Sequence, residues 1–189
     1  SGEYAVGVYT NTAAAYSAGN SWQNYTSASY DSAGNLDPGK GYQMATTSGS
    51  NVEFKGTLST SAVNVTIVSN ETDPYNSGGN TRFNLVANPY PSYLYLNSAA
   101  DGTNNVISVN TAGGNQIIDS EFAAVYGWEA NGTEFASYDN NDSAKYIAPG
   151  QAFMIAPSSS SSVDFDFTEL MTQKTSYGII CEHRSSTKH

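Results

Sequence analysis

Two stretches of the sequence decide the fold, and each contains a Pro-Gly pair. Residues 36–44 read LDPGKGYQM and residues 147–155 read IAPGQAFMI, and the two align without a gap at an offset of 111 residues. An alternating apolar and polar segment follows each at the same distance, around residues 52–54 and 163–165. Proline presets φ at the first central position of a type II turn, and glycine takes the positive φ of the second. We therefore predict two matching corners that each lead into a β-strand. The corner residues are Pro38, Gly39, Pro149 and Gly150.

The rest of the chain also alternates with the period of two that is typical of strands, and helical patterning is almost absent. Asn and Gly, which reach positive φ at little cost, separate the alternating segments. This pattern predicts an all-β fold, a sandwich or jelly roll in which two related β-units, an internal duplication, surround one core. The expected strands are 4–9, 41–46, 51–58, 62–68, 82–87, 93–97, 106–109, 123–128, 151–156 and 163–167.

We expect one module over residues 1–170, with related halves at about 1–70 and 80–170. Residues 171–189 differ in charge, since they hold 3 basic and 1 acidic side chain where the rest of the chain holds 4 and 16. They form a C-terminal tail or a late strand. The equivalent aromatics of the two corners, Tyr42 and Phe153, are expected to face the core.

Composition excludes several classes of protein. The net charge is -10, and only 13% of the residues are charged, so the chain is a poor partner for nucleic acid. No apolar run approaches the roughly 18 residues of a membrane span. The single cysteine, Cys181, excludes an internal disulfide.

Ser, Thr and Asn together supply 62 of the 189 residues, a composition that suits a protein working outside a cell. The first residues show no signal peptide, and we interpret the chain as a fragment of a larger protein.

Three motifs, in this order, resemble a β-rich module of Bacteroidetes secreted and surface proteins. They are residues 83–92 (FNLVANPYPS), 126–128 (YGW), and 147–153 (IAPGQAF) followed by 163–168 (VDFDFT). The module lies upstream of the C-terminal sorting domain of the type IX secretion system. The resemblance implies a β architecture, an extracellular or outer-surface location, and attachment to other domains of one parent protein, such as adhesins or polysaccharide-degrading enzymes. It implies no catalytic activity.

The segment Asn88-Pro89-Tyr90-Pro91 is interpreted as a structural turn. The two prolines remove two backbone donors and hold the chain extended or turning. Tyr90 is expected to pack inward and Asn88 to cap the turn, and the bond before Pro91 is a candidate for the cis form.

No catalytic constellation stands out, so we do not expect an enzyme. The two histidines are His183 and His189, both near the C-terminus, and no nucleophile elbow is present. Calcium is the one cofactor the sequence suggests, because Asp139, Asn141 and Asp142 place oxygen ligands close together in one predicted loop. Solvated acidic loops have the same appearance.

Aromatic side chains flanked by amides suggest carbohydrate binding as the alternative function. The candidates are Tyr75, Tyr93, Tyr95 and Tyr138. Tyr93 and Tyr95 would share one strand face, although tyrosine is also a common half-buried strand residue. The two tryptophans, Trp22 and Trp128, are interpreted as core anchors of the two units.

Two sites match a short acceptor pattern for Bacteroidetes O-glycosylation, Asp-Ser followed by a small apolar residue. They are Ser32 and Ser143.

We conclude from the sequence that the chain is a non-catalytic accessory or spacer module of a larger extracellular protein. The alternative is a carbohydrate-binding module, assisted by calcium, that brings a partner domain to polysaccharide.

Overall fold

The computed structural model describes residues 4–25, 35–46, 56–70, 82–114, 116–128, 134–158 and 161–173. The fold is all-β, with eleven strands in antiparallel sheets and two short helices among these residues. The strands are β1 (Tyr4–Tyr9), β2 (Trp22–Asn24), β3 (Tyr42–Thr46), β4 (Val63–Ile67), β5 (Asn84–Ala87), β6 (Leu94–Tyr95), β7 (Val125–Trp128), β8 (Phe135–Tyr138), β9 (Tyr146–Ile147), β10 (Ala152–Ile155) and β11 (Val163–Phe167). The helices are α1 (Ala13–Ser17) and α2 (Val106–Val109).

A four-stranded sheet in the order β5-β10-β7-β8 forms the centre of the molecule. Residues that lie opposite each other in an antiparallel pair point to the same side, so the register assigns each side chain to a face. Phe153 lies opposite Val86 on one face, and Met154 lies opposite both Leu85 and Tyr126 on the other. The central sheet therefore has an inner face and an outer face, both apolar.

The inner face packs against the two-stranded sheet of β4 and β11. Phe153 contacts Phe165 and Phe167 edge to face, with ring centroids 6.4 and 6.2 Å apart. Alternation along β11 buries Phe165 and Phe167 completely and leaves Asp164 exposed. Among the described residues, none before Ile67 belongs to this buried cluster, so the second half of the chain supplies most of the core.

The two Pro-Gly corners have the same turn geometry. The Lys40 N–H donates to the Asp37 carbonyl at 3.2 Å, and the Gln151 N–H donates to the Ala148 carbonyl at 3.0 Å. The glycines have φ of 79° at Gly39 and 69° at Gly150, as the second central position of a type II turn requires.

Both corners lead onto β5, one along each edge. Gly41 N–H donates to the Leu85 carbonyl at 3.0 Å on one edge, and Phe153 pairs with Val86 on the other. The aromatics that follow have different surroundings. Phe153 is 2% exposed in the core, whereas Tyr42 is half-buried outside the core cluster and its hydroxyl accepts the Asp37 N–H.

The prediction of a strand at residues 106–109 is wrong, because Val106–Val109 forms one turn of α-helix. β-Branched residues favour strands, but the asparagines on both sides favour a capped turn here. The Asn105 side chain accepts the Ser108 N–H at 2.7 Å, and the Asn110 side chain donates to the Val106 carbonyl at 2.9 Å. The sequence reasoning also missed α1, β2, β8 and β9.

Four buried asparagines, which are 0 to 3% exposed, tie loops to distant backbone: Asn88, Asn97, Asn105 and Asn110. Asn97 donates to the carbonyls of Asp139 and Ser143, both at 3.0 Å, and accepts the Lys145 N–H at 3.2 Å. Asn110 exchanges hydrogen bonds with both backbone groups of Asp166. Buried amides are tolerated because each of them meets backbone partners.

Two expectations fall partly or wholly outside the described residues. The strand at 51–58 lies mostly beyond them, and so does most of the 171–189 segment. At the start of that segment, Met171 is the last residue of the 3₁₀ turn Glu169–Met171, and Thr172 forms a bridge with Leu94. No helix in the described part of the chain is long and apolar enough to cross a membrane.

Candidate functional site

An aromatic cleft lies between the outer face of the central sheet and the sheet formed by β2, β1 and β3. It consists of two adjoining cavities of about 330 and 390 Å³. Trp22, Tyr126 and Phe135 line both cavities, so the two are parts of one site. Cavities of this size are typical of small-molecule sites. We call it the aromatic cleft.

Strand register explains why the cleft is aromatic. Tyr126 and Trp128 alternate with Val125 and Gly127 along β7, so both project from the outer face. Phe135 pairs with Trp128 across the β7–β8 hairpin and points to the same side. The opposite wall comes mainly from Trp22 and from residues of β1, α1 and β3, namely Tyr9, Tyr16, Tyr42 and Met44.

Four large aromatic side chains of the cleft are open to solvent, Tyr16 at 39% among them. Trp128 is 57% exposed, Phe135 is 46% exposed and Trp22 is 40% exposed. The Trp128 and Phe135 rings meet edge to face with centroids 4.7 Å apart, and Trp22 meets Tyr9 in the same way at 5.1 Å. Each tryptophan is therefore held by a neighbouring ring while part of its surface stays free.

The expectation that Trp22 and Trp128 are core anchors is wrong. Both lie outside the buried core, because their strands present them to the outer face of the central sheet. The signal that could have located Trp128 was the period-two alternation of residues 125–128, since Val125 enters the core and Trp128 has the opposite parity. No comparable signal marked Trp22.

A buried cation, Arg82, connects to the cleft lining through Phe122 and Phe83. Phe83 contacts both Tyr126 and Phe122 edge to face, and the Arg82 guanidinium lies 4.2 Å from the centre of the Phe122 ring. Arg82 also faces Asp119 across 3.8 Å.

Burial raises the pKa of Tyr126, an effect that Arg82 opposes and Asp119 reinforces. Burial also raises the pKa of Tyr9, with Tyr16 adding to it. These tyrosines are thus neutral hydrogen-bonding groups at neutral pH.

A polar pocket of about 320 Å³ adjoins the aromatic cleft. Tyr9 and Phe83 line both. The rest of the pocket is built from Asn11, the first corner, the strand β4 and the start of β5. Its polar members are Asn11, Asp37, Lys40, Asn64, Thr66 and Asn84. The molecule therefore places apolar rings and polar side chains side by side along one surface.

The tyrosines predicted from the sequence lie elsewhere. Tyr93 is 51% exposed and Tyr95 is half-buried beside Tyr146, with ring centroids 6.0 Å apart. Neither lines the aromatic cleft or the polar pocket. Tyr138 packs against the core with Lys145 4.9 Å above its ring, and Tyr75 lies outside the described residues.

The predicted calcium residues share one loop, in which the carboxylates of Asp139 and Asp142 accept backbone hydrogen bonds. The Asp139 carboxylate accepts the Asn141 N–H at 2.7 Å, and the Asp142 carboxylate accepts the Asp139 N–H at 2.8 Å. Over the described ranges, no three His, Cys, Asp or Glu side chains form a group that could hold a metal ion. Hydrogen bonds within the loop and from Asn97 hold it in place, and calcium stays a prediction.

The Asn88-Pro89-Tyr90-Pro91 segment joins the second corner to the core. Asn88 donates to the carbonyls of Ser92 at 2.8 Å and Ile147 at 3.1 Å, and its side-chain oxygen accepts the Tyr90 N–H. Tyr90 is 4% exposed, and its hydroxyl lies 3.0 Å from the Phe167 carbonyl. The peptide bonds before both prolines are trans.

The two predicted glycosylation sites differ in what the structure says of them. Ser143 is an exposed residue that directly follows the Asp139–Asp142 loop. Ser32 lies outside the described residues.

Comparison with known protein families, curated proteins and solved structures finds no match to this chain. The aromatic cleft and the polar pocket beside it therefore carry the functional argument.

Proposed function

We propose that the chain is a non-catalytic module of a larger extracellular protein, and that it binds polysaccharide in the aromatic cleft. The observation that carries the proposal is the convergence of Trp22, Trp128 and Phe135, all exposed, on one cleft. The extracellular setting and the larger parent protein rest on the sequence motifs and composition.

Exposed aromatic rings suit sugars because a pyranose has an apolar face of C–H groups and a rim of hydroxyls. The C–H face stacks on a ring, and the hydroxyls need polar partners nearby. The cleft offers both, since Gln43 and the neutral hydroxyls of Tyr9 and Tyr126 lie among its aromatic walls.

A pure spacer gains nothing from leaving these rings uncovered. Exposed apolar surface that is clustered in a cleft is typical of a binding site, whereas single exposed apolar residues need no explanation. Binding is therefore the better of the two roles that the sequence predicts, and tethering to other domains is compatible with it.

The test uses the two tryptophans, which are the only ones in the chain and both line the cleft. Tryptophan emission should shift when the protein is titrated with a panel of xyloglucan, laminarin, mannan, starch and polygalacturonate. We expect Trp128→Ala to weaken binding to the responsive polysaccharide by about tenfold or more, measured by affinity electrophoresis. Because the Trp128 side chain is exposed, this substitution should leave the thermal stability nearly unchanged.

Tyr93→Ala is the matched control, because Tyr93 is about as exposed as Trp128 but lies outside the cleft. It should bind like the wild type. If Tyr93→Ala lost binding while Trp128→Ala kept it, the cleft would be excluded as the binding site. Tyr93 and Tyr95 would then be the better candidates. A folded wild-type protein that binds no member of the panel would overturn the proposed function itself.

A further inference from the structure

The polar pocket beside the aromatic cleft combines groups that a sugar ring can use. Tyr9 and Phe83 form its boundary with the cleft, so a ligand that leaves the cleft at these rings enters the pocket directly. Its far side is β4, the outer strand of the β11–β4 pair, together with the Pro38-Gly39 corner.

Some polar groups of the pocket are occupied by the fold and others have capacity left. The Asn84 side chain accepts the Val68 N–H and donates to the Val68 carbonyl. The Asn11 side chain donates to the same carbonyl. Asn64 and Thr66 use a donor on Asp166 and Asp164, so their side-chain oxygens keep acceptor capacity.

The charged pair of the pocket is exposed. Lys40 and Asp37 are 3.7 Å apart, with side chains that are 43% and 69% exposed. An ion pair in this setting is weak and exchanges readily with a polar ligand. Together with Asn64 and Thr66, it offers both donors and acceptors to a row of hydroxyls.

We propose that this pocket is a second subsite of the same binding site, and that the ligand is a neutral glycan chain several sugars long. The inference rests on the proposed function of the cleft. The chain stacks on Trp22 and Trp128, passes over Tyr9 and Phe83, and places the hydroxyls of further sugars against Asp37, Lys40, Asn64 and Thr66.

Two arguments select this class of ligand. A lipid would fill the aromatic cleft but would leave the polar pocket without a partner. An anionic polysaccharide would approach a chain with a net charge of -10, whose field repels it. A neutral glycan satisfies the apolar and the polar half of the surface together.

The experiment is a chain-length series of the neutral glycan that the panel identifies. Calorimetry should show the hexasaccharide binding the wild-type protein about tenfold more tightly than the disaccharide. The double variant Asn64→Ala/Thr66→Val should keep the disaccharide affinity and lose most of that gain, because neither residue lines the aromatic cleft.

The matched control is Asp164→Ala/Asp166→Ala. It breaks the same two cross-strand hydrogen bonds from the other partner, and neither residue lines the pocket. It should keep the chain-length gain, which separates loss of a subsite from loss of sheet stability.

The outcomes separate the two proposals. A chain-length gain that survives in Asn64→Ala/Thr66→Val, with binding still lost in Trp128→Ala, overturns the second subsite alone. Binding of polygalacturonate as tightly as the neutral glycan overturns the neutral class of ligand. Full binding in Trp128→Ala overturns the cleft, and the subsite falls with it.

Discussion

Gly39 and Gly150 occupy the same turn position with different surroundings. A Cβ on Gly39 would lie 2.5 Å from a methyl of Val65, whereas a Cβ on Gly150 would meet nothing within 4 Å. Both residues have positive φ, so alanine is strained at either one. The difference between the two substitutions therefore measures packing alone.

We predict that Gly150→Ala lowers the free energy of unfolding by about 1 kcal/mol, through backbone strain. Gly39→Ala should lower it by roughly 2–4 kcal/mol, because overpacking adds to the same strain. Urea unfolding of the two variants measures the difference. Equal losses would contradict the packing described around the first corner.

Tyr90 couples the core to pH. Burial raises its pKa to about 12, and Glu169 adds to the effect. The unfolded state ionises near pH 10 while the folded state keeps its proton, so the stabilisation is complete below pH 10 and is lost as pH rises toward 12. A shift of two pKa units corresponds to roughly 3 kcal/mol.

We expect the free energy of unfolding to fall between pH 10 and pH 12, and to fall less steeply in Tyr90→Phe. The variant also loses the hydroxyl contacts to the Ser61 and Phe167 carbonyls, so it should be less stable than the wild type at pH 8. Denaturant unfolding at several pH values tests both. Parallel pH profiles for the two proteins would contradict the assignment to Tyr90.

At the scale of elements, the two helices show how caps decide local structure. Asn105 is buried, accepts the Ser108 N–H, and donates to the Asp101 carbonyl at 2.7 Å. Thr12 caps α1 in an exposed position through one contact of 3.2 Å with the Ala15 N–H. The caps share a role but differ in burial.

Asn105→Ala should therefore lower the free energy of unfolding by roughly 2–3 kcal/mol, since it removes a cap and the hydrogen bond from a buried amide to the Asp101 carbonyl. Thr12→Ala should lower it by about 0.5–1 kcal/mol. Thermal unfolding of both variants provides the comparison. A larger loss in Thr12→Ala would show that burial does not govern these caps.

The elements also show what the sequence can predict. The period of two located β1 and β11 to the residue, and β3, β4, β5, β7 and β10 within one or two residues of their ends. Residues 106–109 have the same β-branched character, yet their neighbours cap a helix through side chains that periodicity does not register. β2 and β8 lack a clear apolar alternation because both are exposed edge strands of their sheets.

At the scale of the whole molecule, the all-β class followed from composition and periodicity, but the cleft did not. The cleft requires that residues 9–44 meet residues 83–154 across two sheets, and no local pattern states which faces meet. Tyr93 and Tyr95 were chosen as candidates from the sequence because they lie two residues apart in one predicted strand. Trp22, Trp128 and Phe135 are brought together only by tertiary structure.

Buried asparagine side chains, which carry no charge, hold the loops of this strongly acidic chain in place. The amides of three residues donate to backbone carbonyls far away in the sequence: Asn88, Asn97 and Asn110. Because an amide has no charge, neither a change of pH nor screening by salt removes these hydrogen bonds. In the setting proposed for the module, acidity and salinity vary with the surroundings rather than being held by a cell. A scaffold held together by neutral amides keeps its shape through such changes, because these loop contacts involve no charged side chain.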